Sequence, residues 1–392
     1  MEPVLTSNWN YPTKVWHGPG RVGDLAEACK VASISRPFVV TDAGLRENPI
    51  IKQVQQGLAK AGLDAPVFAD VKSNPTDGNL AAGLAAYRAS GADGVIAVGG
   101  GSALDIGKCI AFMSGQKRPI WDFEDIGDWW TRADASGIAP VIALPTTAGT
   151  GSEVGRAAVL TDEASHEKKI IFHPLMLPRV VISDPLLTVG LPPKLTAWTG
   201  MDALAHCLEA FCAPGFHPMA DGIAVEGMRL IKEHLPRAVR NGADIEARSR
   251  MLAAASMGAT AFQKGLGAIH SVSHPVGALY DTHHGMTNGV MMPYVLAFNR
   301  PAIEDRMAYL ARVLALPGPG FDAVFDWIMA LRKELFIPDR LAELGVKEAD
   351  LEILSAKAMR DPSTGGNPVA MTVEGFRKLI RAAIRGDLAL SG

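Results

Sequence analysis

The hydrophobic positions in the first half of the chain fall in short continuous runs separated by helical patterns. Such runs are typical of strands buried on both faces of a parallel sheet. Helical patterns of 10–15 residues between them indicate βαβ units. The predicted strands cover residues 36–42, 66–71, 94–98, 141–144 and 180–182, and the predicted helices cover 49–61, 79–90 and a segment that begins near Ser102.

The pattern changes after Asp184 and Pro185: segments with helical periodicity become long, and strand-like runs become scarce. Pro192 and Pro193 are typical of a helix start, because the missing amide hydrogen costs nothing there. The predicted helices cover 194–212, 219–241, 245–263, 303–314 and 372–384. We therefore predict an α/β N-terminal domain with a parallel sheet, residues 1–187, followed by an all-helical C-terminal domain, residues 188–392.

Composition narrows the class of protein. The 392 residues are 48% hydrophobic and 20% charged, which supports a large core and excludes a disordered chain. A net charge of −3 argues against a nucleic-acid partner. No apolar run approaches the roughly 18–20 residues of a membrane helix, and the first thirty residues do not resemble a signal peptide. The four cysteines include no C-x-x-C pair. We therefore expect a reduced, cytoplasmic, globular protein.

A glycine-rich segment follows the predicted strand 94–98. Gly99, Gly100 and Gly101 allow the backbone to approach an anion, and the helix that follows offers free amide hydrogens. Ser102 is expected to cap this helix, with Asp105 three residues later. The segment lacks the G-x-G-x-x-G spacing, and an ordinary tight turn is the alternative. Phosphate binding is therefore one of two interpretations.

Two further segments are predicted at the same edge of the sheet. Asp42 ends a strand, where a nucleotide-binding sheet places a carboxylate that meets ribose hydroxyls. The alternative is a turn residue ahead of Gly44. The segment 145–153 is rich in threonine and glycine and suits a ligand that lies across the sheet edge, or else forms a flexible polar loop. The proximity of the three segments favours a nucleotide site.

The helical half contains a carboxylate and several imidazoles at helical spacing. Residues at i and i+4 project from one helix face. The alternative for each histidine is a hydrogen-bonded core residue, but burying several ionisable groups among small apolar neighbours is costly unless something balances the charge. Such donors suit Fe²⁺ or Zn²⁺, and the absence of cysteine from the set favours a catalytic site. The candidates are Asp202, His206, His270, His274, His283 and His284.

With these residues in view, the chain resembles the iron-containing (group III) alcohol dehydrogenases almost from end to end. The segments that carry the resemblance are residues 11–15, 18–20, 99–105, 145–153, 199–206, 265–275, 284–285 and 364–368.

The resemblance implies a role for each matched position. It implies a divalent metal, Fe²⁺ with Zn²⁺ or another ion as alternatives, held by Asp202, His206, His270 and His284. His274 is implied to be a catalytic residue near the metal that positions nicotinamide or moves a proton. The implied NAD-binding residues are Asp42, Asn74, Gly99, Gly100, Gly101, Ser102, Asp105, Thr146, Thr147, Lys168 and Leu187.

The resemblance implies reversible hydride transfer from a small alcohol or diol to NAD, which converts the alcohol to an aldehyde. The reaction is expected in a cleft between the two predicted domains. A homo-oligomer, with a dimer favoured, is implied as well. The alternatives within the superfamily are a zinc-dependent polyol or glycerol dehydrogenase and a hydroxyacid–oxoacid transhydrogenase. A metal-dependent hydrolase or lyase is the alternative of a different class, and the glycine turn together with Asp42 argues against it.

Two features depart from many members of that family. His283 adds an imidazole beside the predicted ligands, where it would compete as a ligand, contact substrate or point away. The segment 121–131 is longer and more aromatic than in many relatives, and we expect it to be a surface excursion.

Overall fold

The computed structural model describes residues 13–389, which form two compact units, 13–191 and 192–389. Tyr11 and Pro12, and the outer ends of both predicted domains, lie outside the described residues.

The first unit is built on a parallel sheet of six strands in the order β1-β8-β5-β4-β2-β3. The predicted parallel α/β architecture is confirmed. Its strands and helices are β1 (Lys14–His17), α1 (Leu25–Ala32), β2 (Pro37–Asp42), α2 (Pro49–Lys60), β3 (Val67–Val71), α3 (Asp77–Ser90), β4 (Gly94–Gly99), α4 (Gly101–Met113), β5 (Val141–Pro145), β6 (Ala157–Asp162), β7 (Glu167–Phe172) and β8 (Val180–Ser183).

Both faces of the central strands are buried, which explains their continuous apolar sequences. Side chains alternate along a strand, so Phe38 and Val40 enter one apolar cluster while Val39 enters the other. Strands β2, β4 and β5 end at Asp42, Gly99 and Pro145, and Gly99 pairs with Pro145. Because parallel strands end at one edge, Asp42, the glycine turn and the 145–153 loop share that edge.

The sequence patterns missed several elements of this unit. β6 and β7 form a separate antiparallel hairpin, and buried and partly exposed residues alternate along β6. The short strand β1 and the helix α1 were also unpredicted. The segment 121–131 lies largely at the surface, as expected, although Phe123 is buried in the core.

The second unit is all-helical, as predicted. Long helices were only partly recognised because prolines interrupt their patterns: Pro275 lies inside α8, and Pro293 and Pro301 lie inside α9. In the part of the chain that is described, no helix is both long and apolar enough to cross a membrane. The helices are α5 (Pro193–Cys212), α6 (Pro218–Arg240), α7 (Ile245–Ala261), α8 (Ala268–Tyr280), α9 (His284–Val313), α10 (Gly320–Glu334), α11 (Leu351–Arg360) and α12 (Val373–Arg385).

Close packing of α5 depends on a glycine in its middle. A Cβ atom added at Gly200 would lie 2.2 Å from Cδ1 of Leu235 on α6. Gly222 on α6 has no such neighbour within 4 Å. The two helical glycines therefore differ in packing although both lie inside helices of the same unit.

We expect Gly200→Ala to lower the free energy of unfolding by about 1–3 kcal/mol, because the new methyl group overpacks the α5–α6 contact. Gly222→Ala is the matched control and should raise it by about 0.5–1 kcal/mol through helix propensity. Denaturant unfolding of both variants measures the difference. Equal effects of the two substitutions would contradict the packing argument.

Candidate functional site

Asp202 and His206 lie one turn apart on α5 and are buried. Glycines allow two other helices to approach this part of α5. A Cβ at Gly285, in the first turn of α9, would lie 2.1 Å from the carbonyl oxygen of Trp198. A Cβ at Gly258 on α7 would lie 3.0 Å from Cβ of His206. Any larger residue at either glycine would hold the helices apart.

The four predicted metal ligands converge on one oxygen atom. The distance from Asp202 Oδ1 to Nε2 is 3.8 Å for His206, 3.7 Å for His270 and 3.5 Å for His284. The rings of His206 and His270 stack with centroids 4.7 Å apart. Helices α5, α8 and α9 thus bring together residues that are up to 82 positions apart in the chain, from Asp202 to His284.

Burial and neighbouring charges shift the pKa values of Asp202 and His270 in opposite directions. Burial would raise the pKa of Asp202, but the imidazoles of His206, His284 and His270 hold it well below its ordinary range. Burial likewise opposes the charged form of His270, but Glu209 and Asp202 raise the pKa of His270 to about 9. The buried carboxylates therefore favour a positive charge at this position.

Glu209 contacts one of the predicted ligands and was not among the sequence candidates. Its Oε2 lies 2.6 Å from Nδ1 of His270, and its Oε1 accepts a hydrogen bond of 2.7 Å from the amide of Ile269. A carboxylate on one ring nitrogen fixes the ring orientation and leaves the other nitrogen for a metal. The sequence feature that could have identified Glu209 is its position seven residues after Asp202, which places both carboxylates on one face of α5.

His274 has a carboxylate partner of its own. Nδ1 of His274 lies 2.7 Å from Oδ2 of Asp361, which was not among the sequence candidates. Burial would raise the pKa of Asp361, but the contact with His274 lowers it. The His274 ring stacks on His284 with centroids 5.2 Å apart. His274 is therefore adjacent to the predicted ligands.

His283, at the N-cap of α9, and Asn288, one turn into the helix, have different neighbours. His283 occupies the N-cap position of α9, and its ring packs 5.0 Å from that of Trp198. Asn288, also missed, places Nδ2 within 2.8 Å of Asp202 Oδ1, 3.3 Å of His270 Nε2 and 3.2 Å of His284 Nε2.

The donor set fits a divalent cation. One carboxylate oxygen and three imidazole nitrogens are the donors that Fe²⁺ and Zn²⁺ accept. The donor atoms of Asp202, His206 and His270 all lie within 4.8 Å of one another. An ion bound at about 2.0–2.2 Å fits between donors at such separations.

The glycine turn in the first unit is shaped by close contacts. Gly99 has φ +151, and a Cβ there would lie 2.6 Å from Cβ of Ala103 and 3.0 Å from Oδ2 of Asp42. A Cβ at Gly101 would lie 2.7 Å from the Thr150 side chain. Glycine is therefore required for this turn to approach Asp42 and the 145–153 loop.

The expected cap of α4 is wrong. Gly100 occupies the N-cap position with no capping side chain, and the hydroxyl of Ser102 donates to the carbonyl oxygen of Ser73 at 2.5 Å. Asp105 accepts from Ser152 Oγ at 2.5 Å and from the amide of Val159 at 2.9 Å. Asp105 therefore fastens the loop and β6 to α4, and a helix N-terminus without a capping side chain suits an anion.

Three of the remaining candidates lie close to the sheet: Thr146, Thr147 and Leu187. Thr146 is buried and its amide donates to Gly99 at 3.0 Å, while Thr147 adjoins Gly100. Leu187 is buried in the apolar cluster that includes Val98.

The antiparallel hairpin links the segment after Asn74 to the strand that pairs with Lys168. Lys168 pairs with Thr161 across β6 and β7, and the amide of Thr161 donates to the carbonyl oxygen of Pro75 at 2.8 Å. The segment that follows Asn74 therefore lies beside the strand that faces Lys168.

Comparison with known proteins assigns the family. Residues 12–185 match the family described as iron-containing alcohol dehydrogenase, and residues 196–384 match its C-terminal domain.

Similar proteins cover nearly the whole chain. The chain is 40% identical to a 4-hydroxybutyrate dehydrogenase of Cupriavidus necator, covering 95% of this chain and 99% of that protein. It is 37% identical to an NAD-dependent methanol dehydrogenase of Bacillus methanolicus, covering 96% and 100%. A crystal structure of a 1,3-propanediol oxidoreductase superimposes with a TM-score of 0.91 at 32% identity, covering 96% and 100%. The chain therefore belongs to the iron-containing alcohol dehydrogenase family.

Proposed function

We propose that this protein is a metal-dependent, NAD-linked alcohol dehydrogenase that interconverts a small alcohol or diol and its aldehyde. The observation that carries the proposal is the convergence of three imidazoles on the buried Asp202 carboxylate. Relatives named for methanol, 4-hydroxybutyrate and 1,3-propanediol support this substrate class.

Asp202, His206, His270 and His284 are the proposed ligands, with Fe²⁺ as the proposed ion. When bound, the cation would act as a Lewis acid toward the alcohol oxygen, and NAD would accept the hydride. Glu209 keeps Nδ1 of His270 engaged, so that Nε2 faces the other ligands.

His274 is the proposed proton-transfer residue. Its Nδ1 is engaged by Asp361, which fixes the ring and leaves Nε2 to accept or return the hydroxyl proton.

The proposed NAD site lies at the carboxyl edge of the sheet. The amides at Gly100, Gly101 and Ser102 would bind pyrophosphate, and Asp42 would accept hydrogen bonds from the ribose. Thr146 and Thr147 border the turn, and Asn74, Lys168, Asp105 and Leu187 complete the proposed set.

Cellular context and organisation are proposed as well. All four cysteines are buried free thiols, and burial raises the pKa of Cys29 to about 11 and that of Cys207 to about 12. Such unreactive thiols support a reducing cytoplasm. We also propose a homodimer, by likeness to the family, and a domain boundary at residues 187 and 188, close to the division between the two compact units at residues 191 and 192.

Metal analysis of protein purified without oxygen, paired with an NADH-forming screen, tests the activity. The screen compares methanol, 1,3-propanediol and 4-hydroxybutyrate with glycerol and with a hydroxyacid–oxoacid pair. NADH formation from a small alcohol or diol in proportion to bound metal is the expected result. Full turnover by metal-free protein would overturn the proposal.

His270→Ala and His274→Ala should separate metal binding from proton transfer. His270→Ala removes a ligand, so it should bind little metal and turn over negligibly, yet still bind NADH. His274→Ala should keep its metal and lose about 10²–10⁴ in rate, the usual contribution of general acid–base assistance. Metal content, NADH titration and kcat distinguish the two. Unchanged metal content in an active His270→Ala variant would contradict the ligand assignment.

Glu209→Gln should weaken metal binding by about 10–100-fold, because the neutral amide orients His270 less strongly than a carboxylate does. Titration of metal-free protein against a chelator measures the affinity. Glu233→Gln is the matched control, because Glu233 pairs with Arg229 on the surface of α6 and should leave metal affinity unchanged. Equal affinities in both variants would exclude an orienting role for Glu209.

Asp42→Gly should admit NADP, because the carboxylate repels a 2′-phosphate. Two unit charges about 4 Å apart repel by about 4 kcal/mol at an effective dielectric constant of 20. If screening and rearrangement leave one-third of that repulsion, the enzyme prefers NAD roughly tenfold. The ratio of kcat/KM for the two cofactors measures it. Asp64→Gly, an exposed site ahead of β3, should leave the ratio unchanged. A wild type that prefers NADP would refute the assignment.

A further inference from the structure

We propose that Asn288 is a further residue of the metal site, whose amide oxygen faces the bound ion and favours Fe²⁺ over Zn²⁺. This inference rests on the proposed metal-binding function and adds a residue that is outside the predicted ligand set.

The position of Asn288 follows from the helix that carries it. Asn288 lies one turn after His284 on α9, so both side chains project from the same face. The residue is completely buried. Its terminal Nδ2 atom lies 2.8 Å from Asp202 Oδ1, 3.3 Å from His270 Nε2 and 3.2 Å from His284 Nε2. One end of the amide therefore sits against three of the four proposed donor atoms.

An ion held by those three donors would lie beside the amide. Metal–ligand distances of about 2.0–2.2 Å would place it between the donors, within the region that the end of Asn288 already borders. An NH₂ group carries partial positive charge and opposes a cation there, whereas a carbonyl oxygen favours it. The two ends of an asparagine amide exchange places by rotation about χ2, and their assignment follows from the neighbouring charges.

The opposite end of the amide supports this exchange. Oδ1 of Asn288 is buried, and within residues 13–389 no group donates a hydrogen bond to it. Turning the amide therefore breaks no hydrogen bond to Oδ1, and the cation's attraction for Asp202 Oδ1 replaces the donation from Nδ2 that the turn does break.

Asn299 on the same helix shows how a structural asparagine differs. Its Nδ2 donates to Oδ1 of Asn367 at 2.8 Å, and its Oδ1 accepts from Nδ2 of Asn367 at 2.8 Å. Both ends of that amide are satisfied by protein. Asn299 therefore offers a matched control for the removal of a buried amide from α9.

Selectivity follows from coordination number. Zn²⁺ sites are mostly tetrahedral, with ligands that here would already be supplied by one aspartate and three histidines. Fe²⁺ accepts five or six ligands and tolerates an additional oxygen donor. An amide oxygen facing the ion therefore benefits Fe²⁺ more than Zn²⁺.

The test compares Fe²⁺ and Zn²⁺ affinities of wild type, Asn288→Ala, Asn288→Asp and Asn299→Ala, each titrated without oxygen from the metal-free full chain. Asn288→Ala should reduce the Fe²⁺-to-Zn²⁺ affinity ratio by about tenfold, in the range for the loss of a residue that supports a metal. Asn288→Asp, which keeps an oxygen donor, should preserve Fe²⁺ binding. Asn299→Ala should lower Tm without changing the ratio.

The visible absorption of Co²⁺-loaded protein gives a second readout that does not depend on turnover. Asn288→Ala should shift the Co²⁺ spectrum toward that of a lower coordination number, whereas Asn299→Ala should not. If Asn288→Ala does not fold, the spectrum and the affinity ratio of Asn288→Asp against wild type decide the question.

The outcomes separate this inference from the proposed function. An unchanged ratio in Asn288→Ala, or equal weakening of both metals, would overturn the role of Asn288 while leaving the four-ligand site in place. A wild type that binds neither ion would overturn the proposed metal site and this inference together.

Discussion

The buried carboxylate of Asp202 is the group on which the arrangement of the helical unit depends. A carboxylate inside an apolar helix bundle is costly unless positive charge or hydrogen-bond donors surround it. Here α5, α8 and α9 supply three imidazoles within 3.8 Å of one of its oxygens. Glycines at 258 and 285 allow α7 and α9 to come close enough to α5. The charge balance at Asp202 therefore depends on the close packing of these helices.

Two histidines on one helix are paired with different carboxylates. Glu209 engages Nδ1 of His270, and Asp361 engages Nδ1 of His274. Glu209 lies on the helix that carries Asp202, so it orients His270 within the donor set. Asp361 begins the 3₁₀ turn Pro362–Gly366 and draws His274 outside that set. The pairing partner, rather than the position on α8, separates the proposed ligand from the proposed proton-transfer residue.

The sheet edge of the first unit is organised by the glycine turn together with the ion pair of Asp105 and Lys108. The glycine turn leaves the start of α4 without a capping side chain. Asp105 holds the 145–153 loop in place through Ser152, assisted by the buried Lys108, whose Nζ lies 3.1 Å away. Some of the polar residues predicted to bind NAD, such as Asp105, therefore hold the loop in place, and others lie beside the glycine turn.

Sequence alone determined the two architectures and indicated the candidate donors, and the proposed set of four followed from the family resemblance. Apolar runs on strands buried on both faces, and donors spaced by one helical turn, are local signals that need no knowledge of the fold. Tertiary structure decided the rest. Helical spacing places Glu209 and Asn288 on the faces of their helices that carry candidate ligands, but the partners of Glu209, Asp361 and Asn288 lie 61, 87 and 86 positions away and could not be read from the sequence. The Ser102 cap failed for the same reason: Ser73 competes for the hydroxyl only once β3 and α4 are placed together. Local periodicity fixes which face a side chain occupies, and only the folded chain decides which partner it meets there.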